Sequence, residues 1–225
     1  MAKNAWPLYG IRVVTPRLEL RYVDEELGAK LADLAEAGIH DPEFMPFAIP
    51  WTDAEPESLG PNTLKYYWRA RAETEPDHWD LPFAVIAEGA VVGTASLAAN
   101  DFPILRQFET GSWLGRGYQG RGLGRELREA ALHLGFAGLG ATLATTAAFD
   151  DNAPSLGVTH SLGYSANGAT RKVRRGKLAK SLLFNLTLDE WTDRLRRTDI
   201  SIEGLEPCLA ILGLTEQQAC PPPCP

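Results

Sequence analysis

The chain has 225 residues, 44% of them hydrophobic and 23% charged, a balance that excludes general disorder. Its net charge of -7 argues against non-specific nucleic-acid binding, and no apolar run reaches the length of a membrane span. A chain this long suits one α/β domain with a C-terminal extension and buries a core without disulfide or metal staples. The three cysteines, Cys208, Cys220 and Cys224, fall near the end, so the core is expected to be free of disulfides. The first residues carry no apolar stretch of the signal-peptide kind, and a cytoplasmic location is the expectation.

Residues 13–23 read as one extended segment, with Leu18, Leu20 and Tyr22 on a shared face. Asp24 is an N-cap for a helix to Glu36 that carries Leu27, Leu31 and Leu34 at core spacing, and Gly38 ends it. A loop rich in proline and aromatic residues follows over 40–51, then a second helix over 59–73. Segments 83–87 and 91–97 read as a hairpin turning at Gly89, and 108–114 as a further strand. A glycine-rich turn over 115–124 opens a helix to about Gly138, with Leu127, Ala131, Leu134 and Phe136 on its apolar face. Segment 143–147 is strand-like. Asp151 and Asn152 begin a short helix that stops at Gly163, and 180–188 closes with a strand. A short helix over 191–197 and a strand at 200–202 precede a Pro/Cys-rich tail expected to be disordered. Strands and helices mix without strict alternation, so the fold class is mixed α/β: a mixed sheet with helices on both faces.

The segment Gln119-Gly120-Arg121-Gly122-Leu123-Gly124-Arg125 carries the most chemistry. Glycines let backbone N–H groups approach a ligand, and a helix N-terminus adds free donors and partial positive charge, so the turn can cradle phosphate. Arg121 and Arg125 can add charge-assisted contacts. A nucleoside-triphosphate loop fails because Arg121 and Gly122 stand where Lys and Ser/Thr are required. A dinucleotide fingerprint, Gly115-x-Gly117-x-x-Gly120, lacks the acidic residue it needs roughly twenty residues on. A pyrophosphate cradle for coenzyme A needs only the backbone and the helix end. The turn taken alone reads equally as a plain strand-to-helix connection.

The wider pattern is Thr15-Pro16-Arg17-Leu18-Glu19-Leu20 at the start, Glu109-Thr110-Gly111-Ser112-Trp113-Leu114 before the turn, and Asn152-Ala153-Pro154-Ser155 with Leu162-Gly163-Tyr164 after it. This combination resembles the GNAT acyltransferase superfamily, most closely its RimJ/RimL-like branch. Trp6-Pro7-Leu8, His40-Asp41-Pro42 and Met45-Pro46-Phe47 are similar to an actinobacterial subgroup of that branch that includes succinyl-CoA users. The resemblance implies a GNAT fold, a twisted, mostly antiparallel sheet of about seven strands splayed in the middle for CoA. It implies an acyltransferase domain over 1–190 and a C-terminal extension over 191–225. It also implies acetyl-CoA or succinyl-CoA as co-substrate, an amine acceptor (a small molecule, a protein N-terminus or a lysine) and a homodimer.

By the same resemblance, Trp113, Leu114 and Gly115 offer backbone contacts to pantetheine, and the residues from Gln119 to Arg125 hold the pyrophosphate. Asn152 and Ser155 contact the pantetheine arm, although Asn152 reads equally as a plain helix N-cap. Amine acylation needs a base that frees the amine and a proton donor near the departing sulfur. Glu109 is the candidate base, with a surface carboxylate as its bland alternative. Ser155 is the candidate donor, since Thr159 stands where many GNAT enzymes place a tyrosine. His40, Asp41, Phe47 and Trp51 are expected to border the acceptor pocket. No histidine has metal-ligand spacing with the cysteines, so no metal is expected. The basic cluster Arg171, Lys172, Arg174, Arg175 and Lys177 reads as a solvated loop or a grip on an anion. The competing functions are an acyl-CoA-binding regulatory module without turnover and a dinucleotide-dependent oxidoreductase.

Overall fold

The computed structural model describes residues 5–215 and 219; the tail expected to be disordered, with Cys220 and Cys224, lies outside the described residues. Nine strands build one sheet: β1 (Arg12–Val14), β2 (Glu19–Tyr22), β3 (His78–Ala87), β4 (Ala90–Asn100), β5 (Gln107–Leu114), β6 (Leu143–Phe149), β7 (Ser165–Arg174), β8 (Lys177–Thr187) and β9 (Ser201–Glu203). Their order is β7-β8-β6-β5-β4-β3-β2-β1-β9. Every pairing is antiparallel except β5 with β6.

The count exceeds the expected seven for two reasons. Segment 13–23 breaks at Thr15, where the Thr15 N–H donates to the Leu18 carbonyl and the Thr15 hydroxyl accepts the Leu18 N–H, so β1 and β2 form a tight hairpin around Pro16. β7 escaped the hydrophobic pattern because it is an edge strand exposed along almost its whole length. Its alternation is hidden, since neither face is buried.

Among the described residues six α-helices accompany the sheet: α1 (Glu25–Glu36), α2 (Pro56–Ala72), α3 (Phe102–Leu105), α4 (Leu123–His133), α5 (Ala153–Ser161) and α6 (Leu188–Arg194). Alternation along β3 divides the core. Leu81, Phe83 and Val85 face the main cluster with α4, whereas Ala84 faces Val23, Leu27, Leu31 and Tyr67 under α1 and α2. Asp24 caps α1 by accepting the Leu27 N–H at 2.8 Å. The second helix begins three residues earlier than expected, because Pro56 at its first turn is preset for helical φ.

α4 runs into a π-helical segment, Leu134–Gly138. Gly135 sits there against the ring of Phe108, and a Cβ on it would lie 2.1 Å from Phe108 Cζ. Phe108 packs edge-on against Phe136, which stacks on Trp191. Gly135→Ala is therefore expected to cost about 1–3 kcal/mol by overpacking, read as a lower denaturation midpoint with an unchanged slope. A wild-type midpoint would refute that packing argument.

The C-terminal segment joins the same core. β9 pairs with β1, and Trp191, Cys208 and Leu212 are buried in the main cluster. Cys208 is a free thiol that donates to the Gly204 carbonyl, and burial pushes it up to about 11.

Candidate active site

β5 and β6 meet only at Gln107–Leu143, Phe108–Ala144 and Glu109–Thr145. On its other edge β5 stays paired with β4 as far as Gly93–Leu114. Beyond Glu109 the two central strands therefore diverge, and β5 has no strand partner on the side facing β6. Threonines pin the vertex: Thr146 Oγ1 donates to the Thr110 carbonyl at 3.2 Å, and Thr145 Oγ1 to that of Phe108 at 3.3 Å. A parallel contact of three residues followed by a gap leaves backbone groups able to receive an extended ligand as an added strand would.

A cavity of about 700 Å³ opens from this fork. Its walls are Thr110 to Leu114 of β5, Thr146 and Ala147 of β6, the loop at Gly120 and Gly122, the start of α4, and the first turns of α5. At the loop, Gly120 and Gly122 take φ of +73° and +78°, a left-handed conformation that glycine adopts without steric cost. The first backbone bond of α4 runs from the Glu126 N–H to the Gly122 carbonyl, so the Leu123, Gly124 and Arg125 N–H groups precede the helical ladder. The loop is braced from below. Glu126, buried, accepts from Thr15 Oγ1 at 2.6 Å, from the Arg17 N–H at 3.1 Å and from Arg17 Nε at 2.6 Å, while Arg17 Nη1 donates to the Arg121 carbonyl.

Not every residue expected around CoA lines the cavity. Trp113, Leu114, Gln119, Gly120, Gly122, Gly124, Arg125, Asn152 and Ser155 do. Gly115, Arg121 and Leu123 do not: the Gly115 N–H is taken by the Val92 carbonyl, Arg121 is exposed beside Tyr118, and Leu123 is buried in the core. Gln119 spends its side-chain amide on the carbonyls of Ile39 and Leu114, which ties the loop to the end of β5. Arg125 pairs with Glu129 one turn on. Asn152 caps α5 through Oδ1, which accepts the Ser155 N–H at 3.3 Å, and the cap leaves its NH₂ free to donate into the cavity. Capping and ligand contact are thus compatible.

The loop over 40–51 forms the opposite wall. His40, Phe47, Trp51 and Trp113 run in edge and tilted contacts, with ring centroids 5.6, 5.4 and 6.0 Å apart in that order. His40 Nδ1 contacts the Asp41 backbone carbonyl and Nε2 the Thr52 hydroxyl, while the Asp41 carboxylate accepts the Glu43 N–H. His40 and Asp41 so shape the loop through local bonds, and both line the cavity with Phe47. The basic cluster forms a hairpin, β7 and β8, that clasps this loop. Arg175 pairs with Asp53 and donates to the Pro42 carbonyl, and Arg174 pairs with Asp151 and donates to that of Met45. The guanidinium beside each aspartate holds Asp53 and Asp151 below the usual carboxylate range.

Glu109 lies on the other face of β5 from Phe108 and Thr110, exposed at the vertex of the fork. Cross-strand register aligns it with Ala98 and then with Asp80 of β3, so the two carboxylates share a face. Asp80 accepts from the Tyr66 hydroxyl at 2.7 Å, and its Oδ1 is buried with no hydrogen-bond partner. Burial pushes its carboxyl up, helped by the charge of Glu109 and opposed by Tyr66 and His78. Sequence reasoning missed this second acid, because an aspartate in an apolar strand carries no motif; its signal was alternation with Trp79 and Leu81.

Residues 17–165 match the family described as an acetyltransferase (GNAT) domain. This chain belongs to the GNAT acetyltransferase family. Solved GNAT relatives share its fold. RimJ of Mycobacterium smegmatis, in complex with CoA-disulfide, superimposes with a TM-score of 0.67 at 19% identity, over 82% of this chain and 90% of that one. RimL, a ribosomal L7/L12 alpha-N-protein acetyltransferase in complex with coenzyme A, gives 0.63 at 18% identity over 79% and 97%. The microcin C7 self-immunity acetyltransferase MccE, in complex with acetyl-CoA and AMP, gives 0.61 at 16% identity over 76% and 93%. The chain is therefore an enzyme of the N-acetyltransferase class with a mixed α/β GNAT fold, and among the described residues no helix is long and apolar enough to cross a membrane.

Proposed function

We propose that this GNAT protein is a RimJ/RimL-like enzyme that moves an acetyl or succinyl group from a CoA thioester to a primary amine by direct attack in a ternary complex. The observation that carries the reading is the continuity of one cavity from the glycine cradle at the head of α4 to the fork between β5 and β6. Backbone N–H groups from Gly120 to Arg125 face the pyrophosphate. The open edge of β5 at Trp113 and Leu114 and the Asn152 amide hold the pantetheine arm.

Glu109 takes the proton that the ammonium must lose before its nitrogen has a lone pair. The amine nitrogen then bonds to the thioester carbon, the C–S bond breaks, Ser155, whose hydroxyl makes no hydrogen bond among the described residues, gives its proton to sulfur, and the second proton of the acylated nitrogen passes to the Ser155 oxygen, leaving amide, CoA thiol and protonated Glu109. The aromatic row His40, Phe47, Trp51 and Trp113 borders the acceptor, which is a small amine, a protein N-terminus or a lysine. The acyltransferase domain spans 1–190, with 191–225 as an extension, and the active form is a cytoplasmic homodimer.

Thermal unfolding with equal concentrations of acetyl-CoA, succinyl-CoA, free CoA and NAD tests the donor. A ligand at one hundred times its dissociation constant raises stability by about 2.7 kcal/mol. Stabilisation by CoA species and not by NAD is the expected result, and a larger shift with succinyl-CoA than with acetyl-CoA selects succinyl. No shift with any CoA species rules the reading out.

A further inference from the structure

Arg128 lies on α4, four residues before the fully buried Leu132, and is itself only 4% exposed. It lines the CoA cavity together with Thr146, Ser155 and Val158. Its Nε and Nη2 atoms are buried and have no hydrogen-bond partner, and among the described residues it forms no ion pair. Its one close neighbour of note is the face of Tyr164, 5.7 Å from the guanidinium carbon. A guanidinium is a permanent cation with five donors, and burying one without a counter-charge is costly. The glycine cradle and the exposed Arg125 lie at the start of α4, and Arg128 lies one helical turn beyond Gly124 on the same helix, sharing the cavity wall with Thr146 of the fork and with Ser155. The anion it awaits is therefore placed past the phosphates along the ligand.

We infer that Arg128 holds the sulfur of CoA as it departs as a thiolate, which rests on the CoA reading above. Amine acylation creates negative charge inside the cavity at one atom that leaves with it. As the nitrogen–carbon bond forms and the carbon–sulfur bond breaks, the electron pair passes to sulfur. Arg128 donates N–H groups to that sulfur and keeps its own protons, Glu109 retains the first proton of the amine, and Ser155 supplies the one that finally converts thiolate to thiol and takes in exchange the second proton of the acylated nitrogen. Thr159 of α5, fully buried and with a hydroxyl that has no partner, is not in the cavity wall and so offers sulfur no donor there. A cation in that wall supplies by charge what a hydroxyl would supply by proton donation.

The test is titration of the thiol of bound CoA, followed by thiolate ultraviolet absorbance, after calorimetry has established binding. In the wild-type protein the bound thiol is expected to ionise at lower pH than free CoA. Arg128→Gln should raise that midpoint by about one unit, a tenfold change in proton affinity, and lower kcat with acetyl-CoA at least as much while KM changes little. Arg128→Lys, which keeps the charge, should recover part of both and guards against a misfolded glutamine variant. A titration curve unaltered by both substitutions overturns the inference. So does a defect confined to the KM for succinyl-CoA, which would assign Arg128 to an acyl-chain carboxylate instead. Failure of the wild-type protein to bind CoA would bring down the CoA reading itself, whereas binding with an unshifted thiol brings down only the role of Arg128.

Discussion

Glu109→Gln is expected to lower kcat by about 10²–10⁴-fold and to leave CoA affinity nearly unchanged, because the proposed base, once an isosteric amide, can no longer accept the proton of the acceptor. The position supports this size of effect. Glu109 is the last residue of β5 paired with β6, so its Cα is fixed by ladders on both edges at the vertex of the fork, one residue before Thr110, where the cavity wall begins. Its side chain is exposed on the face opposite Phe108 and makes no ion pair among the described residues, so little stability should be lost with its charge. Asp80 lies across the strands on that face, and its Tyr66-bonded carboxyl, with one oxygen buried, suits a role as a second proton acceptor that maintains residual turnover. Steady-state kinetics with a fixed amine, paired with calorimetry for CoA, separates the two effects. A kcat within threefold of wild type would remove Glu109 from the mechanism and turn attention to Asp80.

Glu126→Ala should cost about 3 kcal/mol of stability, the low end for breaking a buried pair, since its partner Arg17 is half exposed. The carboxylate joins three donors on the β1–β2 turn to the first turn of α4, and Arg17 continues the chain to the Arg121 carbonyl in the cradle. Losing it leaves the buried Thr15 hydroxyl short of an acceptor and frees the loop that should hold the pyrophosphate. CoA affinity is therefore expected to fall along with the melting temperature.

The pH dependence has a definite sign. Burial pushes Glu126 up, but the hydrogen bonds from Thr15 and Arg17 outweigh it and hold the carboxyl below the ordinary 4.5. A depressed value stabilises the fold above 4.5, and the contribution is lost as pH falls through the folded value. The gap between wild-type and variant melting temperatures should accordingly narrow below that pH. A gap that stays constant into acid would mean that packing, and not the charge network, carries the stabilisation.

Local chemistry made several elements legible without coordinates. Asp24 and Asn152 cap helices because a short side-chain oxygen there can reach an N–H three residues on, and both do so. The hairpin at Gly89, the strand over 108–114 and the glycine turn before α4 all rest on period and turn chemistry that neighbouring residues dictate. β7 was missed for the same reason in reverse. An edge strand exposed on both faces has no hydrophobic period, and only its ladder with β8 makes it a strand.

What the tertiary structure alone decided is where partners part and which charges are enclosed. The resemblance implied a splay in the middle of the sheet, but nothing near Glu109 encodes that β5 and β6 separate after three residue pairs, since pairing depends on strands distant in the chain. Likewise Arg128 and Asp80 look like ordinary charged positions in sequence. Only the folded chain encloses Arg128 beside Tyr164 in the cavity wall, and buries one oxygen of Asp80 while Tyr66 of α2 donates to the other. Caps, turns and periods depend on bonds between near neighbours and can be read locally. Forks, cavities and unpaired buried charges arise from contacts across the chain, and exist only once the core has closed.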